Sequence, residues 1–476
     1  MTARTQHGYS DVARVVILDV VALTPRVLER APRLRSFAAE HGVRRIRPVF
    51  PAVTCSAQAT WLTGLRPRDH GIVGNGWYDR DLAEPMFWKQ SNRLVHGEKL
   101  WETMRRERPG YTCAKLFWWY NMYSSANWSA TPRPMYPADG RKVFDIYTWP
   151  PELHTGLVKE LGPFPFPAFW GPAAGIASSE WIAAVARWVE DRHHPDLSLV
   201  YLPHLDYEMQ RSGPEGPAIG AEIAAIDGLV GGLLDFYCER GVTPVLLSEY
   251  GIESVERPVH LNRVFRAQGW LAVREELGRE RLDCGASRAF ALADHQAAHI
   301  YVRDPDLREE VRECCAAVEG VAEVLDEEGK RACGLDHPRS GDLVAVAEAG
   351  SWFTYYFWEE AARAPDFART VDIHRKPGYD PVELFLDPAL CCPRLRIGWQ
   401  LARKKMGFRS LMEVIPLDAG LVRGSHGRIP EDSRDWPVLV GGPAGDGTGD
   451  LESWEVRDLL LAAIRGTQHA PSSSGG

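Results

Sequence analysis

Several short stretches of this 476-residue chain carry side chains that bind metals or attack electrophilic centres. Thr54 follows an extended, proline-punctuated stretch and precedes a predicted helix opening at Gln58–Gly64. A hydroxyl at a helix N-terminus has backbone N–H groups and the positive end of the helix dipole beside it, which suits attack on a phosphate. A lone threonine before a helix is more often a cap, so Thr54 needs support from other residues.

Carboxylates recur at the ends of three apolar runs rich in β-branched residues. The runs are Ala13–Asp19, Leu197–Asp206 and Val242–Glu249, which end in Asp19, Asp206 and Glu249. Such runs are typical of buried parallel strands. Ligands of open α/β sheets bind beyond the carboxyl ends of the strands, so we expect these carboxylates to converge there. Gln210 follows Asp206 by four residues, and His426 stands between glycines in Gly424–Gly427.

Helical patterns lie between the predicted strands and indicate the fold class. They span Ala31–His41, Ser178–Arg192 and Ala218–Arg240. Strands that alternate with helices predict an α/β protein with a mostly parallel central sheet flanked by helices.

The chain changes character between about residues 269 and 350. Strands are predicted at His299–Val302, Val321–Leu325 and Asp342–Ala347, and a helix at Leu307–Val318. This pattern favours a small inserted α+β cap. We therefore predict a discontinuous catalytic core at 10–268 and 351–466, the cap at 269–350 and a disordered tail at 467–476.

Composition narrows the classes of partner and location. The net charge of −9 argues against a nucleic-acid polymer as partner and leaves a small molecule. No apolar stretch is long enough to span a bilayer, and the N-terminal residues do not resemble a signal peptide, so no membrane partner is expected. The nine cysteines are scattered without a CxxC motif, which favours a cytoplasmic protein. Nothing in the sequence indicates an oligomeric state.

The residues from Thr54 to Asn75 form a long ordered motif, T-C-x-x-x-A-T-x-x-T-G-x-x-P-x-x-H-G-I-x-x-N. With Asp19 after the first strand, this motif resembles the type I phosphodiesterase/nucleotide pyrophosphatase branch of the alkaline phosphatase superfamily. The resemblance implies an alkaline-phosphatase-like fold and metal-dependent hydrolysis of phosphoric monoesters or diesters, including nucleotide-type esters. It also implies Thr54 as the nucleophile and Asn75 as a hydrogen-bond donor to the phosphoryl group.

The resemblance further implies two metal ions. Asp19, Thr54 and Glu249 fall on the first site, and Asp206 and His426 on the second. Two expected histidines are replaced, one by Gln210, which could ligate through its amide oxygen, and one by Tyr250. The implied cofactor is divalent metal, with zinc expected and manganese or magnesium as alternatives because oxygen ligands suit harder ions. The number of ions stays open.

The sequence also allows other metal ligands and other functions. Replacement ligands could come from His204, His260, Asp294, His295, His299, Asp372 and His374, with Arg375 and Lys376 as anion binders. A metal-poor relative could bind a phosphorylated metabolite without hydrolysing it, or could transfer its phosphoryl group to another alcohol.

A sulfatase is disfavoured, because the arginine expected four residues after Cys55 is Ala59. The aromatic segment Tyr111–Pro172 could form a loop or a pocket wall that stacks a ring.

Overall fold

The computed structural model describes residues 13–408, 410–442 and 449–466. The tail predicted at 467–476 and the first residues of the predicted core, 10–12, lie outside the described residues. The described strands are, in chain order, β1 Val15–Val20, β2 Val43–Arg47, β3 Gly76–Asp79, β4 Glu84–Phe87, β5 Cys113–Leu116, β6 Trp128–Pro132, β7 Ile146–Trp149, β8 Leu197–Leu202, β9 Thr243–Leu247, β10 Glu253–Ser254, β11 Arg257–Val259, β12 Val273–Glu276, β13 Arg279–Leu282, β14 Ala289–Asp294, β15 Ala297–Val302, β16 Val321–Leu325, β17 Leu343–Ala347, β18 Ser351–Phe353, β19 Gly424–Ser425, β20 Val438–Val440 and β21 Leu451–Glu452.

The α-helices of the described residues are α1 Pro25–Arg30, α2 Pro32–His41, α3 Thr54–Thr63, α4 Pro67–His70, α5 Leu100–Glu107, α6 Glu152–Leu161, α7 Ile176–His193, α8 His204–Ser212, α9 Ile219–Cys238, α10 Leu261–Ala267, α11 Arg308–Ala316, α12 Glu327–Cys333, α13 Pro393–Lys405 and α14 Val456–Arg465. Within the described part of the chain, none of them has both the length and the apolar content needed to cross a bilayer.

A nine-stranded sheet organises the molecule, in the order β21-β2-β20-β9-β1-β8-β5-β6-β7. The five strands from β9 to β6 are parallel to one another. Successive side chains of β1 point to opposite faces. Val16 and Leu18 pack with helices α2, α7 and α9, whereas Val15 and Ile17 pack with α3, α5 and α14. The predicted α/β class, with a mostly parallel sheet between helices, is confirmed.

The predicted elements differ from the observed ones at two positions that matter for the site. Asp206 does not end a strand, because β8 stops at Leu202 and Asp206 lies in the first turn of α8. The helix expected from Gln58 begins instead at Thr54. In both cases an apolar run continues from strand or loop into a buried helix, so hydrophobicity alone does not mark the boundary.

A second, antiparallel sheet has the order β14-β15-β17-β16 and lies within residues 289–347. Its β14–β15 turn contacts the C-terminal part of the chain. There the backbone N–H of Gln296 donates to the backbone carbonyl of His426 at 2.8 Å. The aromatic segment Tyr111–Pro172 is not only a loop, because it supplies β5, β6 and β7 of the large sheet.

Gly424 is a point of close backbone approach that positions the residues after it. A Cβ atom at this position would lie 2.0 Å from the carbonyl oxygen of Met209 in α8. We expect Gly424→Ala to lower the free energy of unfolding by about 1–3 kcal/mol, because backbone must move to relieve the overlap. Gly228→Ala, in a helical position with open space around it, should be neutral or stabilising. Equal denaturation midpoints for the two variants would contradict this account.

Candidate active site

The candidate site lies at the carboxyl ends of β1, β8 and β9, where the parallel strands meet one edge of the sheet. Asp19 is the fifth residue of β1, and Glu249 follows β9 by two residues. Both side chains are almost completely buried, as is Asp206 in α8. The convergence expected from the sequence is therefore observed, although Asp206 reaches the site from a helix.

Thr54 is the first residue of α3, a helix whose ten residues are all buried. Its hydroxyl oxygen lies 3.4 Å from the hydroxyl oxygen of Tyr250 and lines the pocket at this edge of the sheet. The next backbone amide, that of Cys55, donates to Oδ1 of Asn75 at 3.1 Å. Burial raises the pKa of the Cys55 thiol well above its usual value, which disfavours this thiol as a nucleophile.

Asp19 and Glu249 are bridged by one amide group. Nε2 of Gln58 donates to Asp19 Oδ2 at 3.0 Å and to Glu249 Oε1 at 2.7 Å. A third hydrogen bond fixes the orientation of the Gln58 amide, because the backbone N–H of Trp119 donates to Gln58 Oε1 at 2.8 Å. The remaining oxygens, Asp19 Oδ1 and Glu249 Oε2, have no hydrogen-bond partner among the described residues.

Two adjacent buried carboxyl groups disfavour double ionisation. Burial raises the pKa of Asp19 to about 7, although contacts with Glu249 and Gln58 oppose the rise. The pKa of Glu249 lies well above its usual range because of burial and the charge of Asp19, with smaller opposing effects from Thr54 and Gln58. The pair therefore needs a proton or a cation at neutral pH.

Asp206 is held by two neutral donors. Its Oδ2 accepts from Nε2 of Gln210 at 2.7 Å, and its Oδ1 accepts from the Tyr250 hydroxyl at 3.1 Å. Gln210 is oriented in turn by Tyr379, whose hydroxyl donates to Gln210 Oε1 at 2.9 Å. Burial raises the pKa of Asp206 to about 7, and these two hydrogen bonds oppose the rise.

Four rings from distant parts of the chain form one column beside Asp206. The ring centroids of Tyr250 and His426 lie 3.5 Å apart, those of His426 and His295 3.7 Å, and those of His295 and Tyr379 3.6 Å. Burial keeps the pKa of both histidines well below its usual value, so both rings are neutral. We call these residues the ring column.

Asn75 is engaged on both sides of its amide. Besides accepting from Cys55, it donates through Nδ2 to Asp294 Oδ1 at 3.0 Å, and its backbone N–H donates to Asp294 Oδ2 at 2.7 Å. Asp294 also contacts His295 Nδ1 at 2.9 Å. Asn75 therefore lies next to Thr54 as expected, while its contact with a phosphoryl oxygen stays a prediction.

Most of the other sequence candidates have partners elsewhere. His204 pairs with Glu222, His260 contacts Thr354, and His299 contacts the Val73 carbonyl. The proposed anion-binding role of Lys376 is wrong, because its ammonium group is buried between Asp380 and Glu383, at 2.7 Å from each. Asp294 and His295 lie in the site, and His374 lines the pocket that opens over it.

Gln58 and Tyr379 contact the predicted site residues but were not singled out from the sequence. Gln58 lies one helical turn after Thr54, so an i, i+4 relation within α3 could have placed both on one face. Tyr379 follows a Lys-Pro-Gly turn after Asp372 and His374, and no sequence signal connects it to Gln210.

The pocket that opens over Thr54, Asp206 and Tyr250 occupies about 870 Å³, the open solvent at its mouth included. Its walls are mainly aromatic and apolar, with one lysine, Lys142. Much of the wall comes from the Tyr111–Pro172 segment, which supplies Trp119, Pro132, Pro134, Lys142, Phe166, Phe169 and Trp170.

The donor set differs at the two implied metal sites. At the second, Gln210 and Tyr250 point N–H and O–H groups at Asp206, and one imidazole, His426, remains. Both Asp206 oxygens are thus occupied by neutral donors, so a metal ion here would have His426 Nε2, which has no hydrogen-bond partner among the described residues, as its one free ligand; the arrangement does not fit a metal ion. At the first, Asp19 and Glu249 each have one partnerless oxygen and Glu249 contacts Thr54, and an all-oxygen set of this kind fits one hard cation better than zinc. No group of three or more His, Cys, Asp or Glu side chains in the described ranges is arranged to hold a metal.

Comparison with known proteins identifies the family. The family described as type I phosphodiesterase / nucleotide pyrophosphatase matches residues 15–380. The human ectonucleotide pyrophosphatase/phosphodiesterase family member 1 is 25% identical over 233 residues, which are 46% of this chain and 21% of that protein. An uncharacterised pyrophosphatase/phosphodiesterase of Schizosaccharomyces pombe is 25% identical over 236 residues, 46% of this chain and 40% of its own length. The chain thus spans less than half the length of these relatives.

Solved structures share the fold. Murine ectonucleotide pyrophosphatase/phosphodiesterase 5 aligns with a TM-score of 0.55 and 15% identity, over 96% of each chain. Phosphonoacetate hydrolase from Sinorhizobium meliloti aligns with a TM-score of 0.60 and 14% identity, over 95% of this chain and 96% of that chain. The alkaline-phosphatase-like architecture expected from the Thr54–Asn75 motif is therefore confirmed.

The amide of Gln58 generates a prediction about stability. Gln58→Leu removes the donor shared by Asp19 and Glu249, and we expect it to lower the free energy of unfolding by about 3 kcal/mol. Urea denaturation in the presence of a chelator would measure the effect. Gln268→Leu, at an exposed position after α10, is the matched control and should change little. Equal unfolding free energies for both variants would show that the bridge contributes nothing.

Proposed function

Because the chain belongs to the type I phosphodiesterase/nucleotide pyrophosphatase family, we propose that it hydrolyses phosphoric esters of a small molecule with Thr54 as nucleophile. One observation carries the proposal. Thr54 begins a buried helix, and its hydroxyl contacts Glu249 and the Tyr250 hydroxyl, which in turn donates to Asp206; it also lines the pocket.

The proposed reaction has two displacements at phosphorus. The Thr54 oxygen loses its proton and forms a bond to phosphorus, while the bond to the leaving alcohol breaks and that alcohol takes up a proton. Water then attacks the phosphorylated Thr54, releases the phosphate product and returns the proton to the threonine oxygen. Covalent catalysis of this kind divides one difficult step into two easier ones.

Positive potential near Thr54 has three sources in this proposal. The N-terminal amides of α3 favour an anionic phosphoryl group, and Lys142 lines the same pocket. A single divalent cation on the free oxygens of Asp19 and Glu249, manganese or magnesium rather than zinc, would lower the free energy of the threonine alkoxide. The cation would also replace the proton that this carboxyl pair otherwise holds.

The pocket walls support an ester whose alcohol is apolar and flat. Trp88, Trp119 and Trp170 line the space next to Thr54, and Phe166 and Phe169 continue the wall. Aromatic faces of this kind stack on planar rings, so a phosphate ester of an aromatic or heterocyclic alcohol fits this surface.

A second candidate function is favoured by the hydrogen-bonded Asp206. Since Gln210 and Tyr250 satisfy both oxygens of this carboxylate without a metal ion, the chain could bind a phosphorylated metabolite and leave it intact. Transfer of the phosphoryl group to another alcohol is the third outcome. Product analysis of the reaction with and without an added alcohol separates the three.

The nucleophile is tested by substitution. We expect Thr54→Ala to reduce kcat for an aryl phosphate or aryl phosphodiester by at least about 1000-fold, because no bond to phosphorus can form. Thr54→Ser should retain part of the activity. Thr63→Ala, at the far end of α3, is the control and should retain nearly full activity. Turnover by Thr54→Ala at the wild-type rate would contradict the assignment.

Metal stoichiometry is tested separately from activity. After equilibrium dialysis against Mn²⁺, we expect elemental analysis to find about one ion per chain, because the second implied site lacks its ligands. The double variant Gln210→His/Tyr250→His should bind a second ion, and Gln268→His should not. Two ions in the wild type, or an unchanged ratio in the double variant, would contradict the single-site interpretation.

A further inference from the structure

Helix α13, Pro393–Lys405, lies on the surface with no buried residue. Ile397 is partly buried and packs against the core cluster that surrounds the second sheet. Pro393, Gln400 and Arg403 are also partly buried, and the remaining residues of the helix are exposed. A surface helix usually buries its apolar stripe against its own protein, so the composition of the exposed side decides what the helix does.

The exposed side of α13 is apolar. Leu395, Trp399 and Met406 recur at spacings of four and seven residues, which places them on one face of the helix, roughly opposite Ile397. Their exposed fractions are 75%, 62% and 60%. Phe408, just after the helix, is 57% exposed. Large apolar side chains grouped in this way mark an interaction surface. We call these four residues the apolar stripe.

Basic residues flank the apolar stripe on both sides. Arg394 and Lys405 lie along one edge, and Arg396 and Arg403 along the other, as the angle of roughly 100° per residue requires. Between Asp387 and Glu413 the sequence has six basic residues and no acidic one, in a chain with a net charge of −9. Within the described residues, none of these four cations takes part in an ion pair with a carboxylate.

We propose that α13 binds the surface of an anionic lipid bilayer, with the apolar stripe inserted among the headgroups and the flanking cations at the phosphates. An apolar face bordered by Lys and Arg, with a tryptophan on it, is the pattern of helices that lie in the membrane interface. The long basic side chains can reach the headgroup level while their carbon chains cover apolar surface.

Charge favours a bilayer over a second copy of the chain. Two α13 helices that packed stripe against stripe would bring the four flanking cations of one copy next to those of the other, and like charges in contact are destabilising. An anionic membrane instead attracts each cation. The rest of the chain is acidic, so electrostatics would orient the protein with this face toward the lipid.

The membrane proposal does not depend on the proposed hydrolase activity, and it revises the expectation that no membrane partner exists. The test uses the full chain in co-sedimentation with vesicles of phosphatidylcholine alone and of phosphatidylcholine mixed with phosphatidylserine. We expect binding to the mixed vesicles, weakening as salt is added, and little binding to phosphatidylcholine alone.

Variants assign the binding to α13. Arg394→Gln/Arg396→Gln should lower the partition coefficient about 25-fold, at about 5-fold per basic residue. Leu395→Ser/Trp399→Ser should lower it at least as much. Leu277→Ser, which removes a fully exposed leucine from another part of the surface, is the control and should bind like the wild type. All variants should keep the wild-type melting temperature.

Four outcomes overturn the proposal. The wild type could remain in the supernatant with both vesicle types, or could bind both equally. Vesicle binding could also persist unchanged in the two α13 double variants. Finally, light scattering could show a dimer that Leu395→Ser/Trp399→Ser dissociates, which would make the apolar stripe an interface between copies.

Discussion

The contact between two buried carboxyl groups, Asp19 and Glu249, is the constraint on which the rest of the site depends. Neither group can ionise fully beside the other without a positive partner. Gln58 supplies part of that partner, and its amide is directed by the backbone of Trp119. The pair is therefore stable only when four parts of the chain have docked together. These are the start of α3, the end of β1, the segment after β9 and the loop after β5.

The same constraint relates the two halves of the site to each other. The carboxyl pair keeps free oxygens near Thr54, whereas Asp206 has both oxygens occupied by neutral donors. The charge of Asp19 and Glu249 can be balanced by a cation. The charge of Asp206 is stabilised by hydrogen bonds, and burial raises the pKa of this carboxyl to about 7, which favours its protonated form. The two carboxylate positions of the site therefore differ in how their negative charge is accommodated.

The sequence predicted the fold class and the convergence of Asp19, Thr54 and Glu249 because these depend on local periodicity and on a long contiguous motif. It could not show that Gln210 donates to Asp206 rather than offering its amide oxygen, because the orientation of an amide is decided by a third residue, Tyr379, which is 169 positions away. The helix that contains Asp206 was also missed, since the apolar pattern runs without interruption from β8 into α8.

The ring column has a consequence for how the molecule assembles. Its four members come from the segments after β9, after β14, near residue 379 and after β19, so they are separated by up to 176 residues. Contacts of such high sequence separation form late, because long loops must close before stacking stabilises them. The parallel pairing of β1 with β8 and β9 joins residues at least as far apart, Val15 with Leu197 and Val15 with Thr243, so the large sheet meets the same requirement. The ring column links His295, next to the second sheet, with Tyr250, next to the large sheet, through His426. Closing the pocket therefore couples the two sheets.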